Sequence, residues 1–379
     1  MKVINIYDIG GDINVRPKED FLRDINRLIH ENFKSKEKFH KVAEITIPYT
    51  TFKNILKYSY FKSGLYAPLD AFLETCKKLK ISKSKLQKNI ESYKIAKGWN
   101  VIEHPKLPIR VTPMFDMVLA HAMGDGTVID PKRNRRPYFG YRQFDEEFRK
   151  AYVRKLESVF GNIIFLRDYI ERSTRVYCPA VLSSLFFKVY RLNEKSFMTE
   201  TAVLPEELMN KNRWHLLAVL LAFIIDEGNV DSSLIAIKIK NIALCGQLYE
   251  ICTRLGYESS FTSKDAYGNL YILREGMDKL FHDYNRLLKV YPEADLYYKA
   301  KKIEDGQMIF SRPIYKRKGN REAIFNLLQS TDMTVNQLAL KINMTRQGVR
   351  FHVHNLENEN KIKKAGFIQR GSILYSVRG

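Results

Sequence analysis

Two carboxylates in this chain lie in matching surroundings. Asp125 closes the run Leu119-Ala-His-Ala-Met-Gly-Asp-Gly126, and Glu227 closes Leu220-Leu-Ala-Phe-Ile-Ile-Asp-Glu-Gly228. Each run is apolar, has a small residue near its middle, and passes from an acid straight into glycine. The two acids are about one small structural unit apart, and a repeat at that period implies two similar halves. Halves related by a two-fold would bring both carboxylates to one point. Hard oxygen ligands suit Mg2+, which keeps several waters and bridges carboxylate to phosphate. Paired acids beside a basic surface are what divalent-metal cleavage of a phosphodiester needs. Gly124 and Asp226, next to the two acids, complete the candidate metal set.

The elements that must position these acids are two helices. Thr112 and Pro113 form an N-cap and first-turn pair, so a helix is expected from there to Gly124. A second is expected over 213–226. Ala120 and Gly124 are four apart in the first, Ala218 and Ala222 in the second. Small residues at i, i+4 make a flat stripe, on which two helices approach closer than the usual separation of about 8–10 Å.

The surrounding chemistry is cationic. In 379 residues, 63 Lys+Arg oppose 42 Asp+Glu for a net +21, and the excess runs along the whole chain. That balance points to a polyanionic partner, nucleic acid first. A hydrophobic content of 45% supports a real core. Leu216 to Ile225 is the longest apolar stretch, half the roughly 20 residues a membrane span needs, so no membrane association is expected. Cys76, Cys178, Cys245 and Cys252 show no CxxC spacing and read as free thiols of a reducing compartment. The expected location is cytoplasmic, at the nucleoid.

Residues 1–107 read as a mostly helical N-terminal domain. Leu69, Phe72, Leu73, Cys76 and Leu79 recur at helical spacing, and Leu86 with Ile90 continue the pattern after Ile81-Ser82, suggesting a helix-turn-helix. The core follows over 108–310, in halves 108–200 and 201–310. Helix, strands, helix, strands, helix is expected twice, an α+β duplication. Between the first motif and the next helix lies a basic, tyrosine-containing stretch. Arg133, Arg135, Arg136, Tyr138 and Arg142 are its candidate DNA contacts. In the second half, Lys238 and Lys240 turn one face of strand 234–240 basic. Residues 311–379 carry three helices and a β-hairpin turning at Gly371, the pattern of a winged helix-turn-helix. Its recognition helix would present Arg346, Gln347 and Arg350 to phosphates and base edges.

The two motifs resemble those of the LAGLIDADG homing endonucleases, over roughly residues 108–290. The nine-letter motif maps onto Val118–Gly126 and Leu220–Gly228. Its metal-binding acid falls on Asp125 and Glu227, and its small third position on Ala120 and Ala222. The variant His-Ala-Met-Gly-Asp-Gly-Thr also looks like the first motif of endonuclease domains within archaeal inteins. The resemblance implies an αββαββα fold for each half, two four-stranded sheets forming a saddle over the DNA major groove, and Mg2+ or another divalent cation as cofactor. It implies a sequence-specific endonuclease working as a monomeric pseudo-dimer. With no self-splicing signature, a free-standing protein is expected.

One feature departs from that family. Active members often place a lysine at the end of each half's last strand, where this chain reads Val176-Tyr-Cys-Pro and Leu273-Arg-Glu-Gly. Arg274 and Lys264 are the candidate substitutes in the second half, Arg167 or Arg175 in the first. Arginine gives up a proton far less readily than lysine. Related bacterial regulators join such a core to a helix-turn-helix and do not cleave. A non-cleaving DNA-binding regulator is therefore the alternative, and work on structured RNA a third.

Overall fold

A computed structural model describes residues 2–10, 12–96, 98, 100–129, 138–165, 174–311, 319–368 and 372–377. The fold is mixed α and β, with several small antiparallel sheets. The chain forms two compact units, Met1–Asn229 with Ile235–Leu296, and Val230–Leu234 with Tyr297–Gly379.

In the first unit, β1 (Val3–Ile4) and β2 (Ile13–Pro17) precede α1 (Glu19–Phe33), α2 (Lys36–Ala43), α3 (Tyr49–Ile55) and α4 (Tyr58–Lys62). Then come β3 (Ala67–Pro68), α5 (Leu69–Lys78), α6 (Lys83–Lys88), β4 (Ile90–Ile95), β5 (Val101–Glu103) and β6 (Ile109–Arg110). One stretch differs from the helical spacing expected of it. Ile90 opens a strand instead of extending a helix, and β4 buries Ile90, Ser92, Tyr93 and Ile95. The helix stops because α6 ends on Asn89, whose side chain turns back to the Lys85 carbonyl at 2.8 Å.

The first motif segment follows as α7 (Pro113–Gly124), β7 (Gly126–Ile129), β8 (Tyr138–Arg142), α8 (Glu146–Phe160), β9 (Asn162–Ile164), β10 (Arg175–Tyr177) and α9 (Ala180–Tyr190). After α10 (Glu206–Met209), the second runs as α11 (Arg213–Glu227), β11 (Gly228–Val230), β12 (Leu234–Ile239), α12 (Ile242–Leu255), β13 (Ser259–Lys264), β14 (Tyr267–Leu273) and α13 (Arg274–Leu288). Local chemistry sets these bounds. The Thr112 and Asn241 side chains accept from Phe115 N and Leu244 N at the starts of α7 and α12. Gly161 at φ +109° and Gly256 at +75° close α8 and α12, in conformations that favour glycine.

The second segment builds a four-stranded sheet in the order β11-β12-β14-β13. The first builds β10-β8-β7, and β9 instead pairs with β5, ending a sheet β3-β2-β4-β5-β9. Among the described residues, then, the first segment has three strands in its own sheet, not the expected four. Strand β9 closes the five-stranded sheet by pairing Ile164, Ile163 and Asn162 with Val101, Ile102 and Glu103 of β5.

In the second unit, α14 (Tyr298–Ser311) leads to α15 (Asn320–Ser330), β15 (Met333–Thr334), α16 (Val335–Ile342), α17 (Arg346–Asn358), β16 (Ile362–Ile368) and β17 (Ser372–Val377), with sheet order β15-β17-β16. Ile324, Leu328, Leu338, Val349, Val353, Leu356 and Ile362 make its core. Thr334 and Gln337 form a reciprocal capping box at α16. Among the described residues no helix is long and apolar enough to cross a membrane.

Candidate metal and phosphodiester site

Every residue of α7 from Pro113 to Met123 is buried, as is α11 from Leu216 to Ile225. Two helices this apolar have no solvent face and must lie inside the unit. Polar side chains on them therefore need partners, and they find each other. At the start of the pair, Asp116 is fully buried. It accepts from Lys211 Nζ at 2.8 Å, from His215 Nδ1 at 2.5 Å, and from the Tyr190 hydroxyl. At the far end, Asp226 accepts from His121 Nδ1 at 2.9 Å and from the Tyr141 hydroxyl at 2.8 Å. Contact at both ends means that α7 and α11 run side by side in the same direction.

The ends carrying the two acids consequently meet. A Cβ on Gly124 would lie 3.0 Å from Asp226 Oδ2 and 3.6 Å from the Phe223 ring. Asp125 and Glu227 are the next residues along, both half-buried. The glycine after each acid has a shared reason. A Cβ on Gly126 would lie 2.1 Å from the Ala122 carbonyl oxygen, and one on Gly228 would lie 2.5 Å from that of Ile224. The chain leaves the helix and enters a strand in one step, across the carbonyl four residues back, and only glycine leaves room.

That step starts each acid at the head of a row of residues across a sheet. The β7–β8 register pairs Gly126 with Tyr141, so the next pair outward is Asp125 with Arg142, joined by Arg142 N to Asp125 O at 3.0 Å. Arg175 pairs with Arg142 on β10. In the second segment, Asp231 N donates to Leu234 O at 3.0 Å across the β11–β12 turn. Counting outward from that bond sets Lys238 opposite Glu227, and the buried residues Gly228, Val230, Ile235 and Ile237 match in that register. Lys238 Nζ lies 4.6 Å from the Tyr267 ring centre, and Tyr267 pairs with Lys264. Each motif acid thus opens a row that carries two cations, Asp125 with Arg142 and Arg175, and Glu227 with Lys238 and, across Tyr267, Lys264.

The other residues singled out from sequence are spread more widely. Ala120, Ala218 and Ala222 are fully buried. Lys240 is exposed just past β12. Tyr138 meets the Tyr177 ring edge-on at 5.9 Å. Arg274 opens α13 beyond the far end of β14 from Tyr267, about 20 Å along the strand at ~3.3 Å per residue, and so is removed from the Glu227 row. The Asp226 carboxylate has no solvent exposure and accepts from His121 and Tyr141, tying the helix ends. Gln347 and Arg350 are exposed on α17, but Arg346 is engaged with Asp231. Arg133, Arg135, Arg136, Arg167 and Gly371 lie outside the described residues.

No family model matches this sequence, and no curated protein does. Parts of the chain are similar to solved structures. One is the homing endonuclease I-DmoI with DNA and Mn, at 15% identity over 46% of this chain and 96% of that one, TM-score 0.34. Another is the homing endonuclease I-WcaI bound to its DNA recognition sequence, at 13%, 50% and 87%, TM-score 0.33. A third is full-length DUF199/WhiA from Thermatoga maritima, at 10%, 65% and 90%, TM-score 0.27. All three scores fall below 0.5, too low for the likeness to assign a function.

The buried network below the acids is what sequence inspection missed. Burial, with the nearby charge of Lys155, holds the His121 imidazole well below its ordinary value. His121 is therefore neutral, its Nδ1–H donates to Asp226, and its Nε2 has no partner among the described residues. Burial, then the charges of Asp226 and Asp125, pushes the Tyr141 phenol well above its usual value. Lys155 on α8 is 1% exposed. Burial drives its ammonium down to about 8, against Asp226, Asp295 and Glu293, which hold it up. The available signal was a histidine and an aspartate inside otherwise apolar helices, which demand partners. All four cysteines are buried, and burial pushes the Cys178 thiol up to about 12, so none is a poised nucleophile.

Among the described residues no group of three or more His, Cys, Asp or Glu side chains could hold a metal unaided. Two half-buried carboxylates on adjoining helix ends suit Mg2+, which completes its shell with water and substrate phosphate.

Proposed function

We propose that this protein is a sequence-specific, Mg2+-dependent DNA endonuclease of the LAGLIDADG type. It would have a duplicated core over 108–310 between an N-terminal domain, 1–107, and a C-terminal winged helix, 311–379. The observation that carries the reading is the meeting of two helix ends at Gly124 and Asp226, with the head of a cationic row one residue beyond each. The net +21 supports a polyanionic substrate.

Asp125 and Glu227 would hold the divalent cation between them. When bound, Mg2+ supplies polarisation of the scissile phosphate and a more acidic water. Arg142 and Arg175 in one row, and Lys238 and Lys264 in the other, would grip phosphates on either side and neutralise charge that grows on the phosphoryl oxygens. The buried Asp226, His121 and Tyr141 would act below them as positioning residues, fixing the helix ends. A single chain with unlike halves reads an asymmetric duplex site, so the working form would be a monomer.

The test is incubation with a randomised duplex library and Mg2+, followed by sequencing of the ends. Discrete double-strand breaks that vanish with EDTA, with Asp125→Asn and with Glu227→Gln support the proposal. Breaks that survive both substitutions overturn it. The second reading, a DNA-binding regulator that does not cut, is favoured by one observation: the row beside Asp125 holds two arginines, which do not relay protons. Selective binding with no breaks at any divalent cation would establish it.

A further inference from the structure

The second unit exposes two large aromatic side chains that its fold does not use. Phe351 on α17 is 64% exposed, and Phe367 on β16 is 74% exposed. Residues Val349, Val353 and Leu356 take the inner face of α17, leaving Gln347, Arg350, Phe351 and His354 as one outward stripe. Strand β16 buries only Ile362. Its register to β17 shifts between Lys364 and Gly366, so Ala365 is an extra residue that twists the arm. Beyond this bulge, Phe367 pairs with Ile373 and Ile368 with Ser372, the outermost pairs among the described residues. Lys363 and Lys364 are exposed at the base of the same arm, and Lys364 Nζ lies 3.6 Å from Glu357 on α17, fixing arm to helix.

A phenylalanine left in water forgoes the gain of burial, and two adjacent large apolar residues on a hairpin arm mark a contact. The charge around the arm selects the partner. In residues 320–379, nine Lys and Arg oppose four Asp and Glu. Apolar wedges on a basic arm are a device for entering the minor groove and unstacking a base step. We propose that Phe367, backed by Ile368, is such a wedge, and that this unit kinks duplex DNA instead of only reading its major groove. The inference rests on the DNA-binding reading of the second unit, and not on cleavage.

The experiment uses the full chain in EDTA, with a mixed-sequence duplex of about 30 bp carrying a donor and an acceptor dye at its ends. Binding should raise energy transfer by an amount matching a kink of about 20–90°. Phe367→Ala should bind within about threefold of wild type, under 1 kcal/mol. It should lose the rise, and Phe367→Leu should restore it. Binding without a rise, or a rise unchanged in Phe367→Ala, overturns the wedge and leaves DNA binding intact. No binding overturns both. Self-association of the chain that Phe367→Ala abolishes would assign the arm to a second copy and also overturn the wedge.

Discussion

Asp226→Asn separates the two adjacent acids at the end of α11. The Asn oxygen could still accept from the Tyr141 hydroxyl, which lies 2.8 Å from Asp226 Oδ1. That oxygen could also keep the 3.0 Å bond from His121 Nδ1–H, but the amide nitrogen, 2.9 Å from the same Nδ1, would stand donor against donor. Relief requires the imidazole proton to move to Nε2, where there is no partner among the described residues. One buried N–H left unpaired costs about 1–3 kcal/mol. Lys155 also loses the anion that does most to hold up its charge. The expected total is about 2–4 kcal/mol, read as a lower midpoint of urea unfolding with unchanged slope. A loss under about 0.5 kcal/mol in Asp226→Asn would refute the buried-network argument. So would loss of Ca2+ or Mg2+ binding with stability intact, since that is the behaviour of a ligand.

Gly126→Ala and Gly228→Ala should each cost about 1–3 kcal/mol in thermal unfolding, because the new methyl meets a backbone oxygen, not a flexible side chain. Gly246→Ala in α12, with open space around its Cβ, should gain up to about 1 kcal/mol and serves as the control. Asp116→Ala leaves Lys211, His215 and Tyr190 facing an empty site and should cost about 3–5 kcal/mol by chemical denaturation. The fold disfavours the Lys155 ammonium, so its penalty is full below pH about 8 and gone above the ordinary lysine value near 10.4. The stability difference between wild type and Lys155→Met should therefore shift toward wild type by about 3 kcal/mol as pH rises through that window, and a flat difference would contradict the assignment.

The elements around the acids were legible because their signals are local. Thr112 and Asn241 cap, Gly161 and Gly256 terminate, and the alternation of Ile235, Ile237 and Ile239 fixes one face of β12. What the sequence left hidden is non-local. Nothing near Asn162–Ile164 says that the strand joins β5 and not its own segment's sheet. Asp226 and Glu227 are chemically alike and adjacent, and only the packing of α7 decides which of them turns inward. Arg274 looked apt because it follows the last strand, but strand length carries it away from the row that Lys264 joins. Arg142 and Lys238 could be recognised as neighbours of the acids only once the hairpin registers were known.

The two clasps along the helix pair are built from unlike parts. Asp116 is supplied by α7 to a histidine on α11, whereas Asp226 is supplied by α11 to a histidine on α7. Two copies of α7, or two of α11, could not make either one. Re-engineering this core would have to carry both helices together, because each clasp takes its aspartate from one helix and its histidine from the other. The asymmetry of the pair is thus written into its interior, between two helices that keep almost no solvent face.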